Sequence, residues 1–267
     1  MGKYLKLFNG HAEYEAFKQT SDFIKPNVSH CITENEVHYN PWVETRLIAT
    51  YNITDTSMTS IMDDNSGASK FSEIEIDGVV QPSVITSYQF DTTGKHTVKY
   101  TLKDPTSIGE NSFKSCGKLT NIIIPNCVTS IGEYAFQSCG LTNVVIPSSI
   151  TTISDRVFDS CYNLTSIIIP NSVTSIGNGA FGACISLSSV TIPKSVTSIG
   201  SYAFSFCDGL TNITLLATTA PTIQSNTFQN IKRNGTLTVP TGSSGYDVWM
   251  GSGDYYLGKY NWTKVEQ

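Results

Sequence analysis

The sequence predicts a solenoid of stacked coils, each about 23 residues long, built on a parallel β-ladder with short helical turns and preceded by a small antiparallel β-sandwich. Three observations predict it. Residues 106–128, TSIGENSFKSCGKLTNIIIPNCV, recur as TSIGEYAFQSCGLTNVVIPSSI, TTISDRVFDSCYNLTSIIIPNSV, TSIGNGAFGACISLSSVTIPKSV and TSIGSYAFSFCDGLTNITLLATT, and self-similarity at such a period marks a stacked array. Inside each repeat the aliphatic residues follow L-x-x-L-x-L, as in Leu119, Ile122, Ile124 and Leu164, Ile167, Ile169. Ahead of the repeats, residues 46 to 102 alternate with a period of two instead, which is strand chemistry.

In chain order, residues 1–42 read as an N-terminal arm, with Tyr4 to Phe8 a strand and Ala12 to Gln19 a short helix. Residues 43–104 read as the sandwich, immunoglobulin-like in the loose architectural sense. Leu47, Ala49, Tyr51 and Ile53 alternate with polar residues, as do Val84, Thr86, Tyr88 and Phe90, and then His96, Val98, Tyr100 and Leu102; Asp77 and Gly78 mark a turn.

Residues 105–241 hold six repeats, the sixth degenerate from Ala217 to Pro240. The anchor isoleucines Ile108, Ile131, Ile153, Ile176 and Ile199 are spaced by 23, 22, 23 and 23 residues. The L-x-x-L-x-L strand is stopped by Pro125, Pro147, Pro170 or Pro193, because proline cannot donate to a ladder. A second extended piece, such as Val173 to Ile176, closes each coil. Between the strands, a Phe column (Phe113, Phe136, Phe158, Phe181, Phe204, Phe228) precedes a Cys by three residues, a spacing that predicts one or two helical turns with both side chains inward. Cys116, Cys139, Cys161, Cys184 and Cys207 point the same way in successive coils, so they are expected to be buried free thiols, not disulfides. Residues 242–267 contribute Tyr246, Trp249, Tyr255, Tyr256, Tyr260 and Trp262; they are expected to cap the open end of the array, base stacking being the alternative.

The composition excludes several functions. Charged residues make up 15% of the chain, the net charge is -5 and no basic stripe exists, which argues against a nucleic-acid partner. No run of 18 apolar residues spans a membrane, and the opening MGKYLKLFNG lacks the apolar core of a signal peptide; either the protein is not secreted by the usual route, with a virion or cytoplasmic location open, or a leader has been removed. All four histidines (His11, His30, His38, His96) precede the repeats, so a Ser-His-Asp arrangement would have to bridge domains. His30, Cys31 and His38 lack the paired spacings of a structural zinc site. Asp63, Asp64 and Asn65 before Gly67 do not fit a calcium loop. Asp155 and Asp159 read as solvated surface groups, and the repeat glycines do not cluster into a phosphate loop. No catalytic residue, metal ligand or cofactor is therefore expected.

What the repeats offer is a strand face. One outward column is Asn121, Asn143, Ser166, Ser189 and Asn212; beside it runs Ile123, Val145, Ile168, Thr191 and Thr214, apolar first and then polar. At about 4.8 Å between strands, six strands span about 25 Å, and a contiguous apolar patch is a candidate interaction site. The alternative is that these β-branched residues serve strand propensity and are partly covered.

With the TSIG, AF-x-x-C and LTSIIIP elements in place, residues 105–241 resemble the BspA-like leucine-rich repeats of many bacterial surface proteins, and LTVPTGSSGYDVW resembles the usual end of such arrays. The segments EIDGVVQPSVITSYQFDTTGKHTVKYTLKDPTSIG and PNVSHCITENEVHYNP resemble modules that precede such repeats in proteins of gut Bacteroidetes. The resemblance implies a leucine-rich-repeat solenoid acting as a non-enzymatic adhesion or binding protein, at the cell surface or secreted, with a protein or glycan ligand such as host extracellular matrix. The sandwich is then a spacer. A structural component of a phage particle or surface assembly is the second expectation.

Overall fold

The computed structural model describes residues 45–63, 67–253 and 256–267. The chain divides into two units, Met1–Val43 and Glu44–Gln267, and all the described residues lie in the second. The expectations for the arm, for His11, His30, Cys31 and His38, for Asp64 and Asn65 and for Tyr255 fall outside the described residues.

The alternating segment forms six strands: β1 (Leu47–Ile53), β2 (Met58–Ser60), β3 (Phe71–Ile76), β4 (Val79–Val80), β5 (Ser87–Gln89) and β6 (Gly94–Leu102). In place of a closed immunoglobulin-like sandwich, four of them make one antiparallel sheet in the order β4-β3-β6-β1, and β2 and β5 pair as a separate ribbon. The ribbon covers the sheet's inner face. The hydroxyls of Tyr51 and Tyr100 lie 2.8 Å apart, each 2.7 Å from the Ile61 carbonyl oxygen just beyond β2. Phe90 stacks on Tyr51 at 6.5 Å.

The sheet does not end at β1. Its fifth strand is Leu119–Ile123 of the first repeat, antiparallel to β1 with Ile48 opposite Ile123 and Thr50 opposite Asn121. A continuous buried cluster accordingly runs from Leu47 through every repeat to Trp262. Two short sheets of a sandwich would each have needed the other to bury an apolar face; here the first coil supplies that partner. The segment is thus the N-terminal cap of the solenoid and not a spacer.

Each coil has two hydrogen-bonded walls. The first is the ladder of Leu119–Ile123, Asn143–Val145, Ser166–Ile168, Ser189–Ile192, Asn212–Leu215 and Thr236–Val239. A further parallel rung, Thr263–Glu266, pairs with Thr236–Val239, so the tail adds a seventh strand to the six expected. The second ladder stacks two-residue strands from Ser107–Ile108 to Thr222–Ile223. The threonines of the LT and VT pairs tie coils together. Thr142 and Thr165 donate to the carbonyls of Thr120 and Thr142, and Thr174 and Thr197 to those of Thr151 and Thr174.

The third side corrects the expected helical turns. Among the described repeat residues none is helical. Ala135, Gln137 and Cys139 donate to carbonyls three residues back, while Tyr134, Phe136 and Ser138 between them donate to Asp155, Val157 and Asp159 of the next coil. Every fourth residue takes a left-handed backbone, as at Tyr134 (φ 58°) and Ser138 (φ 57°), Arg156 (52°) and Ser160 (58°). A right-handed helix cannot absorb such residues, and half the amides bind the neighbouring coil. The Phe-to-Cys spacing of three nevertheless points both side chains inward, because a hydrogen-bonded turn has nearly the same reach as a helical one.

The interior is as expected. Successive Phe rings stack at 5.4, 5.7, 5.8, 5.4 and 6.1 Å, with interplanar angles of 15° or less. Phe71 and Tyr100 close the stack below Phe113, and Trp249 closes it above Phe228 at 5.3 Å. The six described cysteines are free and buried. Four of the thiols donate to the Phe carbonyl one coil back: Cys139 to Phe113 at 3.0 Å, Cys161 to Phe136 at 3.1 Å, and Cys184 and Cys207 to Phe158 and Phe181 at 3.2 Å.

Burial pushes the Cys161 and Cys207 thiols up to about 12, and Cys139 and Cys184 well above their ordinary value. Since the thiolate is the reactive form and all six thiols from Cys116 to Cys207 are buried away from reagent, they should stay unmodified by a thiol reagent at pH 8 in the native protein. All seven should react in denaturant. Counting modified thiols by intact-mass spectrometry checks this, and more than one rapidly labelled native thiol would contradict it.

Candidate ligand face

The sheet's pleat sends Leu119, Ile122, Val144, Ile167, Val190 and Ile213 inward, where all are buried, and their neighbours outward. Register sets eight of the ten expected face residues side by side. Asn143 sits beside Ser166 and Val145 beside Ile168; Ser189 sits beside Asn212 and Thr191 beside Thr214. Asn121 and Ile123 lie on the rung before them. The apolar row is open to solvent: Ile123 is 55%, Val145 64% and Ile168 66% exposed. No described segment covers it.

Pairing of β1 with the first rung extends this face beyond the repeats. Opposite Ile123 stands Ile48, opposite Ile48 stands Lys99, then Glu75, then Val80 at the edge. In the other direction Thr214 is followed by Thr238 and Val265. These strands form three abutting sheets, with breaks after Leu119–Ile123 and after Ser166–Ile168, and one row of outward side chains follows from Val80 to Val265 across them. Its only charges are on the N-terminal strands, where Glu75 bonds Lys99 at 2.7 Å and Arg46 at 2.9 Å. The Lys99 ammonium foremost, and the Arg46 guanidinium, hold the Glu75 carboxyl below its ordinary range against partial desolvation. From Asn121 to Val265 the outward positions of the rungs carry no charge.

Sequence reasoning missed Ile48, Lys99, Glu75, Val80, Thr238 and Val265 as members of this row. Alternation already marked Ile48 as outward; what was missing was the strand beside it, since antiparallel pairing across about 70 residues leaves no periodic trace. The open end of the ladder is also protected. Lys264 occupies an inward position of the last rung, beside buried Leu237, and bonds Asp247 at 2.6 Å, an inward-pointing charge of the kind that blunts edge pairing.

The remaining candidates serve the scaffold. Asp155 accepts from the Asn178 amide at 2.7 Å and from its side chain at 2.8 Å, and Asp159 accepts from Gln137 at 2.7 Å, so both join neighbouring coils and are not merely solvated. His96 lies on β6, 2.6 Å from Asp77 and 2.9 Å from the Thr92 carbonyl. Tyr246, Trp249, Tyr260 and Trp262 are buried. Trp249 donates to Pro221, and Trp262 to Lys232 at 2.7 Å, which leaves these rings inaccessible to bases. Among the described residues no cluster of His, Cys, Asp and Glu could hold a metal, and no helix is long and apolar enough to cross a membrane.

Comparison with known proteins agrees with the repeat reading. Residues 106–235 match the model of the BspA type leucine rich repeat region, in six copies. No curated protein matches the chain. Among solved structures it is similar to a leucine rich cell surface protein from Faecalibacterium prausnitzii, with 40% identity over 41% of this chain and 29% of that one and a TM-score of 0.40. It is also similar to the leucine rich repeat protein of T. pallidum (24% identity, 56% and 70% of the two chains, TM-score 0.40). A leucine-rich repeat protein from Bacteroides ovatus matches at 20% identity over 61% and 52% of the two chains, with a TM-score of 0.34. The chain spans less than a third of the length of the F. prausnitzii protein.

Proposed function

We propose, from the premise that residues 106–235 belong to the BspA-type leucine-rich repeats, that this chain is a non-enzymatic protein-binding module of adhesion type, displayed at the cell surface or outside the cell. The observation that carries the reading is the exposed row of Ile123, Val145 and Ile168 on a ladder held rigid from both sides. Proteins of this family generally bind other proteins. The face suits a protein better than a glycan, because the outward positions of the rungs carry no aromatic ring on which a sugar could stack. The repeats also lack histidine, and Asp155 and Asp159 are committed to bonds between coils, so nothing in the array resembles an acid-base pair.

Replacing Ile123, Val145 and Ile168 together by Thr keeps the β-branched shape needed for a strand and removes apolar area. Burying these three side chains against a partner is worth roughly 25 cal/mol per Å², so the variant should bind its protein ligand at least about tenfold more weakly. The purified chain and this variant would be titrated over an immobilised panel of extracellular-matrix proteins and glycans. Equal affinity of the two for a bound protein would sink the proposal, as would binding confined to the glycans.

A further inference from the structure

We infer that the first partner of this face is a second copy of the chain, packed face to face about a two-fold axis that runs along the strand Asn143–Val145. The inference rests on the protein-binding reading of the face and names the occupant. It begins with the order of residues along the outward row: Val80, Glu75, Lys99, Ile48, Ile123, Val145, Ile168, Thr191, Thr214, Thr238, Val265, where paired registers give every step except Ile123 to Val145 and Ile168 to Thr191, which follow from the repeat period and the adjacency of their strands. Val145 is its midpoint.

A two-fold axis parallel to the strands maps this row onto itself in reverse. Val145 then meets Val145, Ile123 of one copy faces Ile168 of the other, and Ile48 faces Thr191. At the ends Val80 faces Val265, both exposed apolar residues at 54% and 43%. Lys99 and Glu75 fall opposite Thr214 and Thr238, so no like charges oppose each other, and each keeps its own partner within its sheet. The neighbouring row behaves alike: Asn143 meets Asn143, Asn121 faces Ser166, Thr50 faces Ser189 and Thr97 faces Asn212. Every side chain there can donate and accept hydrogen bonds. Self-complementarity of one patch under a two-fold is what an isologous interface requires.

Geometry and size permit it. Because the turn side of each coil is bonded to the next coil by backbone hydrogen bonds, as the strand side is, the two sides rise by similar amounts. Helices of about 10 Å diameter on one side would instead splay the coils into an arc. A sheet without that cause of curvature can lie against another sheet in aligned packing. Eleven strands at about 4.8 Å, with two outward rows about 7 Å apart, present ~700 Å² per copy, close to the ~800 Å² that a stable interface buries on each partner.

The test is the mass of the full chain in solution. Sedimentation velocity between about 1 and 100 µM should give twice the 29.1 kDa chain, and Val145→Lys should give a monomer with an unchanged circular-dichroism melt, because the side chain is exposed. In a Cys31→Ser background, Val145→Cys should be joined rapidly into a covalent dimer by a short bis-maleimide, whereas Thr152→Cys on the second ladder should not. A wild-type chain that is monomeric throughout this range overturns the inference. So does a dimer that survives Val145→Lys, or equal cross-linking at the two cysteines. A monomer that still binds a matrix protein through Ile123, Val145 and Ile168 would refute the dimer and leave the protein-binding reading standing.

Discussion

Replacing Phe158 by Ala is expected to destabilise the solenoid by about 3 to 5 kcal/mol, the range for deleting a fully buried aromatic side chain. Phe158 is entirely buried and lies between Phe136 at 5.7 Å and Phe181 at 5.8 Å, with both neighbouring rings within 9° of parallel. Its removal breaks the stack at its middle. The cavity cannot close by a local shift, since coils on both sides are fixed by backbone hydrogen bonds that the Phe136 and Phe158 amides donate to the Val157 and Ala180 carbonyls. Coupling between neighbouring coils is what makes a repeat array cooperative, so urea unfolding followed by circular dichroism should show a lower midpoint and a broader transition. Ile168→Thr, on the exposed face, should change stability by less than about 0.5 kcal/mol. A loss at Phe158 no larger than at Ile168 would contradict the account of the interior.

Trp249→Ala should cost a comparable amount, about 3 to 5 kcal/mol, but with a different spatial signature. Trp249 covers the last ring of the stack, meets Tyr246 at 5.6 Å and donates its indole N–H to the Pro221 carbonyl. Truncation exposes Phe228 and the end of the ladder to water and leaves that carbonyl without its donor. Amide exchange should therefore accelerate first in Thr222–Val239 and Thr263–Glu266, with the coils around Ile131 and Ile153 protected until global unfolding. Trp249→Phe, which keeps a ring and loses the hydrogen bond, should cost closer to about 1 kcal/mol. Uniform acceleration along the array would show that the tail is not a local cap.

How much of this was legible follows from the range of each interaction. The Phe and Cys columns, the inward aliphatics and the outward strand positions were readable because each repeat restates the same local pattern, and a repeated pattern reports on its neighbours at a fixed offset. The direct evidence is the Cys ladder: a thiol at the same place in successive coils bonds the carbonyl one coil back. The helical turns were misread because a spacing of three is common to a helix and to a chain of turns. The difference lies in where Tyr134, Phe136 and Ser138 send their amides, and that destination exists only once the next coil is in place.

Residues 47 to 102 were correctly read as strands, since Leu47, Ala49, Tyr51 and Ile53 alternate, but alternation says only that one face is buried and not against what. The covering layer turned out to be the first coil and the β2–β5 ribbon, with β1 beside Leu119–Ile123. The seventh rung, Thr263–Glu266, was hidden for a related reason: it carries Lys264 where other rungs carry an aliphatic residue, so it does not repeat their pattern. The sequence by itself thus determined the period of the array, what each coil buries and what its strands expose. Only the tertiary structure decided how the array begins and ends and how far its exposed face extends, because those depend on pairings between distant segments, which leave no periodicity to read.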